Sequence, residues 1–417
     1  MEVVSRLWNR FRWRVTAYYR TLSRDFDYST DFFFGLDFLL AVVGARLKSG
    51  HSGKVRRWWT VYRWAIYLPV LVAFRNTVLN IYRRERLEII LSCLQVVIAC
   101  AVTFLRMFIV LRHYGPLMRV RRYLNRREFG RILGSSLGIR SRAFYHIRRI
   151  VIPSVAIMCC VFTSILALDI SQHHYLKLPF QIDLHFLQKF CEKLVYFVGF
   201  GVAMMIVLVY LVIYTVVTGL TAEVEVIALT FAAIFDNVEV EISRPKAESN
   251  FCKFAQIEFN KCVQIHAEFL AVLDQVRPLL NVSFLIVYYS TALNLASGAI
   301  YLSQMKSVTM FSLQTLYYCV WAALECCSLT RMVSLLTEAS ESISREVYNL
   351  NWPEKLEWDD QFQEEYRAVR NTMATVMTVA QQALRLNCFG FFEFTQDRFY
   401  ELLNMAYSLF AFFNDFV

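Results

Sequence analysis

Apolar residues in this chain gather into long runs separated by short polar connections. A membrane-crossing helix needs about 20 mostly apolar residues, and seven regions can supply one. They are Trp58 to Ile81, Leu87 to Leu111, Ile150 to Ile170, Lys193 to Leu220, Leu279 to Leu302, Met310 to Leu336, and a split last region. The first is interrupted by Arg63, Pro69 and Arg75, so its polar residues are expected to face other helices or an aqueous cavity. Ahead of it, Asp31 to Leu47 is apolar but short, the pattern of a re-entrant or interfacial helix. The last region combines an amphipathic stretch, Tyr366 to Leu386, a break at Asn387 to Gln396 containing Gly390, and an apolar run from Phe399 to Val417. Helical periodicity continues outside the spans through Thr221 to Phe235, Phe254 to Val276, Thr337 to Val347 and Tyr366 to Leu386. These four stretches suffice for a small helical bundle beneath the membrane, whose apolar faces must be covered by one another or by a partner subunit.

The expected fold is all-α: a polytopic membrane protein with seven transmembrane helices. Residues 1–57 form an amino-terminal segment, 58–220 the first four spans, and 221–278 cytoplasmic anchor helices. Residues 279–336 hold spans five and six, 337–386 the rest of the anchor, and 387–417 the outer half of the seventh helix. Of the 417 residues 57% are apolar and 19% charged, which excludes an ordinary soluble domain.

Charge fixes the orientation. Between the second and third spans, Arg112, Arg119, Arg121, Arg122, Arg126, Arg127, Arg131, Arg140, Arg142, Arg148 and Arg149 are opposed only by Glu128. Short loops this rich in arginine stay cytoplasmic, which places the amino terminus inside and the carboxyl terminus outside, opposite to a G-protein-coupled receptor. Arg83, Arg84 and Arg86, in the short first external loop, pull the other way but are fewer. The net charge of +10 sits between spans, not on one polar face, so anionic lipid headgroups are expected as partners and nucleic acid is not. Arg6, Arg10, Arg12, Arg14, Arg20 and Arg24, interleaved with aromatic residues, suit an interfacial amphipathic segment and not a cleavable signal peptide.

Chemistry is sparse. The sequence has no P-loop, HExxH, GxSxG or dinucleotide-binding glycine pattern, so catalysis is not expected, and no cofactor is implied. Intramembrane acids and bases fall into no paired set across spans of the kind a proton relay requires. Most of the eleven cysteines lie in apolar runs without ligand spacing, and His173, His174 and His185 in the loop Ser171 to Glu192 lack paired spacing, so no metal site is expected. No internal repeat marks a transporter built from inverted halves. What remains is aromatic and sulfur-bearing: Phe162 and Leu166 on the third span, Tyr196, Phe200, Met204 and Met205 on the fourth, and Tyr317, Tyr318 and Trp321 on the sixth. Such walls suit a small, uncharged, lipophilic ligand; each residue taken singly also fits ordinary helix packing. On the last helix Leu403, Tyr407, Phe410 and Asn414 fall at i, i+4, i+7 and i+11, one stripe that either lines a pore or packs against a neighbour.

Several short patterns, in order and in the corresponding spans, resemble the insect odorant receptors over most of the length. They are Leu220 to Leu229 at the end of the fourth helix, Cys262 and His266 with Leu270 before the fifth span, Tyr348 and Trp352 after the sixth, and Asn404 to Phe410 with its Tyr407-Ser408 pair. The resemblance implies an odorant-opened, non-selective cation channel subunit in the plasma membrane of a sensory neuron, assembled as a tetramer with the family's co-receptor, Orco. It implies that the outer halves of helices two, three, four and six surround a small volatile molecule, that the last half-helix lines the pore, and that the cytoplasmic helices anchor the subunits. Phe410 and Asn414 then fall at the constriction, where Phe410 is bulkier than the co-receptor's small aliphatic residue. The loop from Asp236 to Phe254 is short where the co-receptor has a long insertion, which suggests an odour-tuned subunit. Gustatory receptors end in a Thr-Tyr pattern, and Ala406 stands here in place of the threonine, so the odorant reading is preferred. A gustatory channel and a G-protein-coupled receptor are the alternatives.

Overall fold

A computed structural model of the chain describes residues 25–47, 53–84, 87–126, 134–167, 184–243, 251–303, 310–356, 360–382 and 386–414, with single positions 129, 178, 358 and 384. The arginine-rich stretch 1–24, Glu128, His173 and His174 lie outside them. Thirteen α-helices are described: α1 Leu36–Val42, α2 Gly53–Ala65, α3 Leu68–Tyr82, α4 Leu87–Arg112, α5 Tyr114–Arg126, α6 Gly134–Ala167 and α7 His185–Ala232, followed by α8 Ile234–Ile242, α9 Phe251–Ser303, α10 Met310–Tyr348, α11 Trp352–Lys355, α12 Gln363–Gln381 and α13 Gln396–Asn414. No strand occurs among the described residues; the nearest thing is an isolated bridge between Asn387 and Glu393. An all-helical architecture follows from the apolar composition, because a backbone in lipid must satisfy its own hydrogen bonds.

Among the described residues six helical segments are long and apolar enough to cross a membrane: Gly53–Tyr82, Cys93–Arg112, Ser135–Thr163, Phe186–Ala232, Phe251–Ser303 and Ser312–Lys355. The expected seventh, α13, is the odd one because Asp397, Arg398 and Glu401 occupy its first turns and shorten its apolar run. The first span is jointed. α2 ends at Ala65 and α3 restarts at Leu68 with Pro69 in its first turn, where a missing N–H costs nothing. In the single chain Arg63 and Arg75 are exposed. Long guanidinium side chains can run along an apolar surface toward water, and Arg63 lies over the ring of Trp59 at 5.9 Å.

α7 is the central post. Of its most apolar window 83% is buried within the chain, against 28% for α4 and α6. At 1.5 Å per residue its 48 residues span roughly 70 Å, and the 53 residues of α9 roughly 80 Å. Both far exceed a ~30 Å hydrocarbon core. The surplus of α7, α9 and α10 joins α8 and α12 in a second bundle, whose core includes Phe231, Phe235, Phe259, Phe269, Ile343 and Met373. Cys262 and His266 are buried in it, His266 edge-on to Phe231 at 6.3 Å. The four amphipathic stretches read from the periodicity are thus covered largely by one another.

Several arginines expected to meet lipid headgroups instead meet carboxylates of this chain. Arg140 donates to Glu223 at 2.9 and 2.6 Å, with both side chains buried. Arg126 pairs with Glu268 at 2.5 Å, and Arg121 with Asp31 at 2.5 Å and Asp37 at 3.1 Å. Sequence distance hid these partners, which lie more than 80 residues away. The Arg121 cluster seats the segment before α1, and Asn125 holds it from both sides: its Nδ2 donates to Asp31 at 2.7 Å and its Oδ1 accepts from the Phe32 N–H at 3.2 Å.

The joint between α12 and α13 is a tight turn. Phe389 and Gly390 have φ of 55° and 83°, and Asn387 Oδ1 accepts from the Gly390 N–H at 3.1 Å. Phe394 stacks on Phe284 of α9 at 4.4 Å and 5°, and Phe392 packs on Tyr288 at 4.6 Å. The start of α13 is thereby fixed to α9.

Burial alone would raise the Asp31 carboxyl, but hydrogen bonds from Arg121, Asn125 and the Phe33 backbone hold it below its ordinary 3.8. A depressed carboxylate stabilises the fold above its unfolded pKa, and that contribution fades as pH falls through the lower, folded value. Asp31→Asn is therefore expected to lose about 1 kcal/mol at neutral pH and to flatten the stability profile below pH 3.8. Thermal unfolding of the detergent-solubilised protein across pH measures both.

Candidate functional site: an aromatic cavity among the spans

A cavity of ≈ 170 Å³ lies among α3, α4, α6, α7, α9 and α10. Its apolar side is made by Pro69 and Val70, Phe162, Tyr196 and Trp321. Phe162 stacks on Tyr196 at 4.9 Å and 9°, and meets Phe200 at 4.7 Å. Jointing the first span at Pro69 puts that residue and Ala73 on the wall. α9 and α10 approach closely nearby because Gly298 has no Cβ, and one there would collide with Cys319 Sγ.

Of the residues singled out from the sequence, Phe162, Tyr196, Tyr318 and Trp321 line this cavity. Phe200 backs Phe162, and Tyr317 sits behind the wall beside Trp321 at 6.4 Å. Met204 and Met205 are packed in the main core and do not line it. The side chain of Leu166 lies outside the described residues. Gln95, Thr103, Arg106, Asn294 and Glu325, also on the wall, carry a polar side that the aromatic pattern did not reveal.

Arg106 of α4 donates to both carboxylate oxygens of Glu325 on α10, through Nη1 at 3.3 Å and through Nη2. Both side chains are buried, at 6% and 5% exposure. This overturns the expectation that intramembrane charges do not pair across spans. The two residues stand 219 positions apart, and each alone reads as an isolated charge in an apolar run.

A second feature is the outer face of α13. Phe399, Leu402 and Ala406 are buried toward the rest of the chain, whereas Leu403 and Tyr407 are exposed and Phe410 half-buried. The stripe read from the sequence therefore turns away from the chain's own core; the Asn414 side chain lies outside the described residues.

A cavity lined by helices long and apolar enough to cross a membrane is the arrangement of a polytopic membrane protein. The sequence model of the family described as 7tm odorant receptor matches residues 86–407. The chain belongs to that family. Its fold is similar to that of the insect olfactory receptor OR5 from Machilis hrabei in complex with eugenol, with a TM-score of 0.67 at 10% identity over 92% of this chain and 97% of that one. A second structure of that receptor gives 0.63 at 11% identity, over 91% and 96%. No curated protein is matched.

Removing one partner of a buried ion pair strands the other charge, at about 3–5 kcal/mol, whereas replacing both with apolar residues can be neutral. Arg106→Met and Glu325→Met are each expected to reduce surface expression and thermal stability sharply. The double variant should recover most of the loss. Additive losses in the double variant would show that the two side chains are not coupled.

Proposed function

We propose that this chain is the odour-tuned subunit of a ligand-gated cation channel, assembled with the family's co-receptor in the plasma membrane of a sensory neuron. The observation that carries the reading is one chain holding both an aromatic cavity among its spans and a final helix whose stripe leaves Leu403 and Tyr407 exposed and Phe410 half-buried. The cavity takes a small volatile molecule. An olfactory receptor of the same fold is known in complex with eugenol, a small organic molecule. The exposed apolar side chains of the spans, such as Phe74, Phe108 and Leu324, face lipid. The stripe of α13 faces the conduction path, with Phe410 and Asn414 at its narrow end. The arginine-rich side is cytoplasmic, which puts Val417 outside the cell.

Coupling runs through α9. Ser290, Thr291 and Asn294 form part of the cavity wall, and within about three turns on the same helix Phe284 and Tyr288 grip Phe394 and Phe392 at the root of α13. A ligand that binds better when α9 and α10 are displaced shifts that grip, and with it the stripe. Only such differential affinity opens the channel.

Currents recorded from cells carrying this chain, the co-receptor, or both, against an odour panel, test the assignment. Odour-evoked current is expected only with both. Trp321→Ala and Tyr318→Ala should shift the dose response, and Phe410→Ala should alter basal or ion-selective current. An amino-terminal tag reached by antibody without permeabilisation would turn the topology over and favour coupling to G proteins.

A further inference from the structure

On the arginine-rich side a second hollow, of ≈ 520 Å³, opens between α6 and α10 with α7 as its floor. Both helices pack along α7 and hardly touch each other, which keeps the cleft open. It lies where three apolar runs stop, at Ile150, Leu220 and Leu336, so its wall passes from Met332 and Leu335 at the slab edge to Arg142 and Glu225 beyond it. α6 has two faces here: Arg140, Phe144 and Ile147 are buried against the chain, while Arg142, His146 and Arg149 line the cleft. Arg121, Arg126 and Arg140 each meet a carboxylate, but among the described residues Arg142 and Arg149 form no ion pair and stand exposed. Their spacing puts these two residues two turns apart on one face, about 10 Å along the axis. His146 stands between them, its Nε2 bonded to the Tyr214 hydroxyl at 3.0 Å. Glu225 also lines the cleft, and at its rim Asp25 accepts from Tyr145 at 3.3 Å.

The geometry points to a phosphoinositide in this cleft, a lipid whose headgroup carries several phosphates on a hydroxylated ring. Arg142 and Arg149 hold separate phosphates, Glu225 accepts from a ring hydroxyl, and the glycerol and first acyl carbons lie on Met332 and Leu335. Each guanidinium presents a planar fork that matches a phosphate, and basic pockets between spans on the cytoplasmic side suit such headgroups. A single phosphodiester engages one of the two arginines and leaves the other charge unmet. Phosphates on opposite sides of a ring meet both, and the hollow has room for the ring. The Glu225 carboxylate repels a bare phosphate, whereas a ring hydroxyl can donate to it. The apolar part of the wall distinguishes a lipid from a soluble inositol phosphate, which gains nothing from burying Met332 and Leu335. The assignment takes only the inner leaflet from the orientation proposed above, and nothing from the aromatic cavity.

Anisotropy of a fluorescent dioctanoyl phosphatidylinositol bisphosphate, titrated with the detergent-solubilised full chain, tests the site whichever way the chain faces in a cell. Arg142→Gln and Arg149→Gln are each expected to weaken binding by about 5- to 10-fold, and Arg331→Gln, on α10 outside the cleft, to stay within about twofold. All three side chains are exposed, so the thermal midpoint of the lipid-free chain should not move. Ala143→Trp leaves every charge in place and fills the hollow, and should weaken binding by about 10-fold or more. Dioctanoyl phosphatidylserine and free inositol trisphosphate should each need about 10-fold higher concentration than the unlabelled lipid to displace the probe. An equal loss in Arg331→Gln would reduce the site to diffuse surface charge. Equal displacement by phosphatidylserine overturns the paired-phosphate assignment, and equal displacement by inositol trisphosphate replaces the lipid with a soluble ligand. Binding by the chain alone that disappears in its complex with the co-receptor makes the cleft a subunit contact and overturns the inference. None of these results bears on odour-evoked current, so this inference and the channel reading fail separately.

Discussion

A charge inside the apolar slab has to be met by its opposite, and in this chain that constraint ties distant helices together. Arg106 and Glu325 join α4 to α10 beside the cavity, and beyond the slab, on the arginine-rich side, the equally buried Arg140 and Glu223 join α6 to α7. Apolar contacts between membrane helices discriminate weakly, because lipid tails offer the same contacts. A buried guanidinium with only one carboxylate in reach discriminates strongly, since the mispaired arrangement strands two charges. The same pair that fixes the register of α4 against α10 also lines the cavity wall.

Around the post formed by α7 the molecule divides its labour. The upper part encloses the cavity, and the surplus lengths of α7, α9 and α10 form a bundle with α8 and α12 below. α9 is the member common to the cavity, the lower bundle and the root of α13. Its position explains why the turn at 387–394 is so firmly made, with an asparagine bridging backbone, a glycine at positive φ and two phenylalanines packed on α9. That turn is held rigidly to α9, while the helix beyond it is exposed along Leu403 and Tyr407.

Much of this was legible along the chain, and for definite reasons. Twenty-residue apolar runs demand helices, because only a helix satisfies its backbone within one segment, and barrel strands are half that length. The first span's break at Pro69, the short helix before it, the amphipathic extensions and the break at Gly390 each follow from local chemistry. The aromatic character of Phe162, Tyr196, Tyr318 and Trp321 was legible too, but not their meeting: Met204, equally suited by composition, packs in the core instead. Helical phase distinguishes two faces of a helix; it does not say which neighbour each face meets.

The sequence by itself therefore determined the helical architecture, the spans and the aromatic character of the candidate site, all of which depend on interactions within about one or two helical turns. Tertiary structure alone decided which charges pair and which wall residues converge. Those outcomes depend on residues separated by as many as 219 positions, such as Arg106 and Glu325, brought into contact by the packing of whole helices and by no local rule.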